Sequence, residues 1–316
     1  MLSTLNVTIL LTLIMYLYYR LMARHQLKRA LPPLGLAVVG LLTGACSALP
    51  LSISMAGPSV ASNSGSALSS APTATPFPLA YGRLGHVLTS DNWTGYVISN
   101  TLPAQTLNRR RVVRPAVNGG TVSDVQAQWT VPTLSCGPAA TFSALWVGID
   151  GETDGTVEQV GTGADCSRGA PIYYAWFEIF PRPSQDLSQF QVSPGDSVLA
   201  EVSYKGSGQF DLTLQDLSSH QTFHVSRSNA RALRQSAEWV AEAPATQNNQ
   251  VLPLAAFSTV SFSKAQATIN GQTCTPNSCV WPVAVLVMQS PGGKIKAYPS
   301  QLSADGGSFA VTWRAS

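Results

Sequence analysis

Over much of the C-terminal part of the chain, hydrophobic and polar residues alternate with a period of two. Val198, Ala200, Val202 and Tyr204 alternate with Ser197, Leu199, Glu201 and Ser203. Gly206-Ser207-Gly208 marks a turn, and Phe210, Leu212 and Leu214 then alternate with Gln209, Asp211, Thr213 and Gln215. A second turn over 216–219 leads to Phe223 and Val225, and the rhythm returns at Phe309, Val311 and Trp313. Side chains two apart share one face of a strand, so this period predicts strands with one buried face. Turns at intervals of about 8–12 residues, built from Gly, Pro and Ser, predict an all-β fold, a β-sandwich of two antiparallel sheets. No βαβ rhythm and no repeat of fixed length interrupts it. One stretch conflicts: Ala230–Ala243 (ARALRQSAEWVAEA) has the composition of a helix, unless tertiary context overrides propensity.

The first eighty residues read differently. Val7–Tyr19 and Leu34–Ala45 are apolar, but neither reaches the roughly 20 residues of a membrane span, which excludes a polytopic membrane protein. Between them, Met22–Arg29 reads as the basic start of a signal peptide with Leu34–Ala45 as its apolar region. Residues 1–46 are therefore a leader whose translation starts at Met22. The alternative is a pair of anchoring segments. Thr43-Gly44-Ala45-Cys46 resembles a bacterial lipoprotein signal, with Thr43 where Leu, Val or Ile is usual. Lipidation at Cys46 or plain cleavage after Ala45 or Ala48 follows. Residues 47–80 are rich in Ser, Ala, Pro and Thr and carry no charge, the composition of a linker or propeptide. Residues 81–316 form the folded domain. It is expected to be exported, either extracellular or tethered to the bacterial envelope by the leader or a lipidated Cys46.

Composition supports this division. Charged residues make up 11% of the chain, against roughly 25% in an average soluble protein. That excludes nucleic-acid binding through a broad basic face. The net charge of +3 belongs to the leader: without Arg20, Arg24, Lys28 and Arg29, fifteen basic residues face sixteen acidic ones. Asn108-Arg109-Arg110-Arg111 and Arg114 form a basic cluster, read as a solvated loop or as a processing site. Beyond Cys46, four cysteines remain. In an oxidising space they would pair. Cys274 and Cys279 are close enough to close a short loop, which leaves Cys136 with Cys166, one of three pairings. No Cys-x-x-Cys or His-x-x-x-His spacing beside them suggests zinc.

Common hydrolase signatures are missing. There is no Gly-x-Ser-x-Gly and no His-Glu-x-x-His. His220 and His224 lie in alternating context that places them on one face of a strand, as surface residues. What remains is carboxylates and amides among aromatics. The chain has six glutamates, and a glutamate against an apolar wall is a general acid/base candidate because desolvation shifts its proton affinity. Glu238 lies beside Trp239. Gln159 follows Glu158. Trp146, Asp150, Trp176 and Glu178 sit in two aromatic-rich segments.

Seven blocks then resemble a known family. They are Asn92–Tyr96, Gln128–Pro132, Leu145–Gly151, Glu158–Gly161, Tyr174–Pro181, Ser193–Asp196 and Ala237–Glu242. In this order they resemble the glutamic peptidases, or eqolisins. The resemblance implies a two-sheet sandwich with a cleft on one face and a catalytic dyad, Glu238 and Gln159. It puts Trp146, Asp150, Trp176 and Glu178 along the cleft. Around Gly161-Thr162-Gly163 and Cys166 the chain departs from the pattern, and Tyr174 stands where the best-known fungal members have an acid.

The expected activity is hydrolysis of polypeptides in acid by a monomer, with no metal, no cofactor and no nucleic-acid partner. Glu238 would activate water and Gln159 would steady the oxyanion. A rival reading is a carbohydrate-binding module stacking sugars on Trp146 and Trp176 beside Asp150. A third is a glycosidase using Glu238 and Glu178, which would need carboxyls about 5–10 Å apart.

Overall fold

The computed structural model describes Ile53–Ser54 and residues 86–102, 121–152 and 154–316. The leader, the rest of the 47–80 linker and the basic cluster at 109–114 lie outside the described residues. Among the described residues every regular element is a strand. They are β1 (Ile53–Ser54), β2 (His86–Ser90), β3 (Trp93–Ser99), β4 (Val122–Thr130), β5 (Ala144–Ile149) and β6 (Val157–Ser167). There follow β7 (Ala170–Phe180), β8 (Gln185–Asp186), β9 (Ser197–Gly206), β10 (Gln209–Asp216), β11 (Gln221–Ser228) and β12 (Ser236–Glu242). The last are β13 (Ala245–Thr246), β14 (Val260–Ile269), β15 (Gln272–Cys274), β16 (Val283–Gln289), β17 (Ile295–Pro299) and β18 (Phe309–Trp313).

The expected sandwich is present, with one refinement. Its two layers are a single hydrogen-bonded path, β11-β10-β9-β4-β14-β18-β17-β16-β3-β12-β5-β6-β7-β8. It folds over so that β4, β9 and β10 pack on β5, β6 and β12. Pairing is antiparallel except for β2, which runs parallel to β16. The linker contributes one short ladder, β1 against β13.

Alternation explains the first layer. Val198, Ala200 and Val202 of β9 and Phe210, Leu212 and Leu214 of β10 point inward and are buried. Opposite them lie Val147, Ile149, Val160, Phe177 and Trp239. At roughly 1.5–3 kcal/mol per buried large side chain, this double layer drives folding. The centre of the second layer is buried on both faces: every residue of β3, β5 and β12 is buried.

That burial overturns the helical expectation for Ala230–Ala243. Residues 229–235 are irregular, and Ser236–Glu242 is a central strand paired with β3 and β5. Two backbone ladders and two covered faces outweigh helix propensity. The histidine expectation also changes. His220 lies in the turn before β11, with φ 62°, while His224 alone sits on the strand. Cys136 pairs with Cys166 and Cys274 with Cys279. No helix among the described residues is long and apolar enough to cross a membrane.

Candidate active site

Strand register assembles the site. Glu238 on β12 stands opposite Gly148 on β5, and Gly148 stands opposite Gln159 on β6. Gln159 in turn faces Glu178 on β7. Directly opposed residues share a sheet face, so these four form one transverse row. A second row, displaced by two residues, holds Val240, Trp146, Gly161 and Trp176. A third holds Trp93, Glu242, Ala144, Gly163 and Tyr174. All lie on the face turned away from the main core, where a second apolar cluster gathers Trp93, Trp146, Val157 and Trp176.

The first row has no side chain of its own at its centre. Glu238 and Gln159 are two strand spacings apart, about 10 Å between backbones. Gly148 places no side chain between them. A Cβ there would meet Cζ3 of Trp146 at 2.9 Å and the Glu158 carbonyl oxygen at 3.2 Å. The glycine is thus required by the close approach of the Trp146 ring, which lies over it between the acid and the amide.

Gln159 is fully buried, and its Nε2 donates to Oε2 of Glu178 over 2.7 Å. Its Oε1 has no partner among the described residues. Glu238 is also fully buried, and neither carboxylate oxygen has a hydrogen-bonding partner among the described residues. Burial pushes its pKa well above the ordinary carboxylate range, and Asp150, Glu152 and Asp154 add to this. The Ser236 hydroxyl, near the carboxyl but outside hydrogen-bonding geometry, opposes the shift only in part. The indole N–H of Trp176 is likewise unmatched. A buried polar atom without a partner is costly, so a site that keeps an acid, an amide oxygen and an indole N–H in this state is built to receive polar groups.

Two further carboxyls were not singled out by sequence reasoning. Glu242 lies four residues after Glu238 on the same face and is fully buried. It accepts from Trp146 Nε1 at 2.8 Å and from Asn92 Nδ2 at 3.3 Å. Spacing alone could have flagged it, since residues four apart share a face in a strand and in a helix alike. Glu158 points to the opposite face, accepts from Asn229 Nδ2 at 2.7 Å and is raised to about 9, chiefly by burial. Asp150 sits at the end of β5 with both oxygens committed. They accept from the backbone N–H groups of Arg234 and Gln235 at 2.7 and 2.6 Å. It fastens the segment that leads into the Glu238 strand.

Glu238 and Glu178, the pair a glycosidase would need, are three strand spacings apart in this row, about 14 Å between backbones. A groove of about 440 Å³, lined by Asp186 to Phe190 and Gln221 to Phe223, lies along β8 and the start of β11 and contains none of the row residues, although Asp186 stands opposite Trp176 of the second row. Among the described residues no group of three or more His, Cys, Asp or Glu side chains could hold a metal ion.

Residues 112–304 match the model of the peptidase A4 family. The chain belongs to this family. Among curated relatives of this A4 member, aspergillopepsin-2 of Aspergillus niger is 26% identical over 218 residues, 62% of this chain and 74% of that protein. Scytalidopepsin B of Scytalidium lignicola is 33% identical over 164 residues, 49% of this chain and 62% of that protein. The fold also matches scytalido-glutamic peptidase solved with a transition-state analogue inhibitor, with a TM-score of 0.57 and 24% identity. That match covers 71% of this chain and 98% of the other. The protein is thus a hydrolase of the glutamic-peptidase, or eqolisin, family with the family's β-sandwich, and polypeptides are the substrates that fit it.

Proposed function

We propose that this A4-family peptidase is an exported, acid-acting endopeptidase whose dyad is Glu238 and Gln159. The observation that carries the reading is the first row itself: an unpartnered buried acid and a tethered amide on either side of Gly148. Catalysis requires a water and a peptide carbonyl to enter between them, beside the Trp146 ring that lies over Gly148. Water admitted with substrate supplies donors to Glu238, which pulls its pKa back toward the ordinary range. The ionised Glu238 then takes the water's proton as the oxygen attacks the carbonyl carbon. The amide of Gln159 has one N–H on Glu178 and a second left for the developing oxyanion. When the tetrahedral intermediate collapses, Glu238 returns its proton to the leaving amine. Trp146 and Trp176 pack beside the dyad in the next row, Glu178 sets Gln159, and Asp150 holds the approach to β12. The chemistry calls on no cofactor.

Export is supported by the leader's composition and by two disulfides, which persist in oxidising spaces. The test is digestion of a denatured protein across pH 2–7 by the wild type, Glu238→Gln and Gln159→Ala, with and without chelator. Cleavage in acid that both variants lose while still folded, and that chelator leaves intact, is the expected result. A folded wild type that cleaves nothing after trimming at the basic cluster would overturn it.

A further inference from the structure

We infer that Glu242 is a positioning residue: it fixes the Trp146 indole against Gly148 and so sets the width of the space between Glu238 and Gln159. The inference rests on the dyad reading above.

The indole of Trp146 spans two rows. Its N–H end is held in the third row by Oε2 of Glu242 at 2.8 Å. Its six-membered ring reaches the first row, where it packs against Gly148 so closely that a Cβ would stand 2.9 Å from Cζ3. Trp93 closes the side, edge-to-face at 4.8 Å between centroids. Glu242 is itself held. Asn92 Nδ2 donates to its Oε1 at 3.3 Å, and the Asn92 side chain accepts from Ser90 Oγ at 3.0 Å. The Asn92 carbonyl accepts from the N–H of Ala243, the residue after Glu242, at 2.8 Å. A buried carboxyl is thus clamped at one oxygen and uses the other to hold a tryptophan whose far edge forms part of the dyad row.

Packing alone does not demand a carboxyl here. An apolar side chain could fill the space beside Val240, but it would leave the Trp146 N–H without its acceptor and take the carboxyl away from the Trp93 indole. Without that anchor the tilt of the ring is set by packing against Trp93 and Gly148 alone. Because it already lies against Gly148, rotation moves it into or away from the space where water and carbonyl must meet. Misplacement of about 1 Å in such a site costs on the order of 100-fold in turnover.

The experiment is a double-mutant cycle between Glu242 and Trp146 in the full chain. It reads kcat, KM, near-ultraviolet circular dichroism and unfolding. Glu242→Gln keeps an acceptor and should stay within about threefold of wild-type kcat. Glu242→Leu should lower kcat about 100-fold with KM little changed. Trp146→Phe should lose a similar amount, and the double variant should be no worse than the weaker single. Additive losses would overturn the inference, as would Glu242→Gln losing as much as Glu242→Leu. If Glu242→Leu does not fold, Asn92→Ala takes its place, with a fall in kcat expected in the wild-type background and none beyond Trp146→Phe in that one. A wild type without peptidase activity would fail the dyad reading separately. The dichroism would then decide, because Glu242→Leu must lose the band that Trp146→Phe loses and Glu242→Gln must keep it.

Discussion

The side-chain amide of Gln159 donates from Nε2 to Oε2 of Glu178 over 2.7 Å, from directly opposed positions on β6 and β7. This contact decides which way the amide faces. A carboxylate only accepts, so the NH₂ group must turn toward Glu178 and the oxygen away from it. One N–H and the carbonyl oxygen remain for water and oxyanion. Glu178→Gln offers both a donor and an acceptor, so either end of the amide can bind it. Turnover should fall about tenfold, with KM nearly unchanged, because a bond used mainly in the transition state is lost in part. A KM rise with constant kcat would place Glu178 in substrate binding instead.

The Tyr174 ring lies across Gly163, its opposed partner on β6. A Cβ on Gly163 would stand 2.1 Å from Cζ of that ring. An aromatic covering a bare glycine is a recurrent device in sheets. It gives a structural role to Tyr174, where the chain departs from the family pattern, since the ring needs the glycine beneath it. Gly163→Ala should therefore cost about 1–3 kcal/mol by overpacking. In a Tyr174→Ala background the same substitution should cost little, because the clash is gone. Urea unfolding of the four proteins measures the coupling, and equal costs in both backgrounds would refute it.

Strands were legible where one face meets solvent. β9 to β11 alternate because their outer residues are wet. β3, β5 and β12 are buried on both faces, so period two vanishes and Ala230–Ala243 reads as a helix. Motif order marked Glu238 and Gln159, but nothing local to either residue says that Gly148 lies between them. Register across three strands is set by long-range pairing. Glu242 was within reach of spacing arguments, since four residues from Glu238 it shares a face in either structure; its tie to Trp146 depends on the strand pairing.

The two disulfides should differ in worth. Cys136–Cys166 closes a separation of 30 residues and Cys274–Cys279 one of 5. Loop-closure entropy assigns them about 3.6 and about 2 kcal/mol respectively. The first also ties the segment before β5 to the end of β6, close to Asp165 and the third row. Cys136→Ser with Cys166→Ser should thus lower stability more than the corresponding Cys274/Cys279 pair. It should lower peptidase activity too, whereas the C-terminal pair should leave activity intact. Chemical unfolding and the digestion assay check both.

Stability should fall as pH rises. Asp150 and Asp165 are each raised to about 7 and Glu158 to about 9, with burial the largest cause for all three. Glu238 and Glu242 shift the same way. Unfolded carboxyls titrate near ~4, so between ~4 and these raised values the folded chain holds more protons than the unfolded one. The derivative of unfolding free energy with pH is then negative. Stability from these groups is complete below about pH 4 and is lost progressively up to about pH 9. An acid-stable, alkali-labile enzyme follows, the reverse of a protein held by ionised carboxylates. Glu158→Gln isolates one contribution. It keeps an acceptor for Asn229, cannot ionise, and lies on the face opposite the dyad. The variant should match wild type in acid and exceed it in stability at pH 8–9. Parallel stability curves for the two proteins from pH 4 to 9 would mean that Glu158 ionises as freely in the fold as outside it.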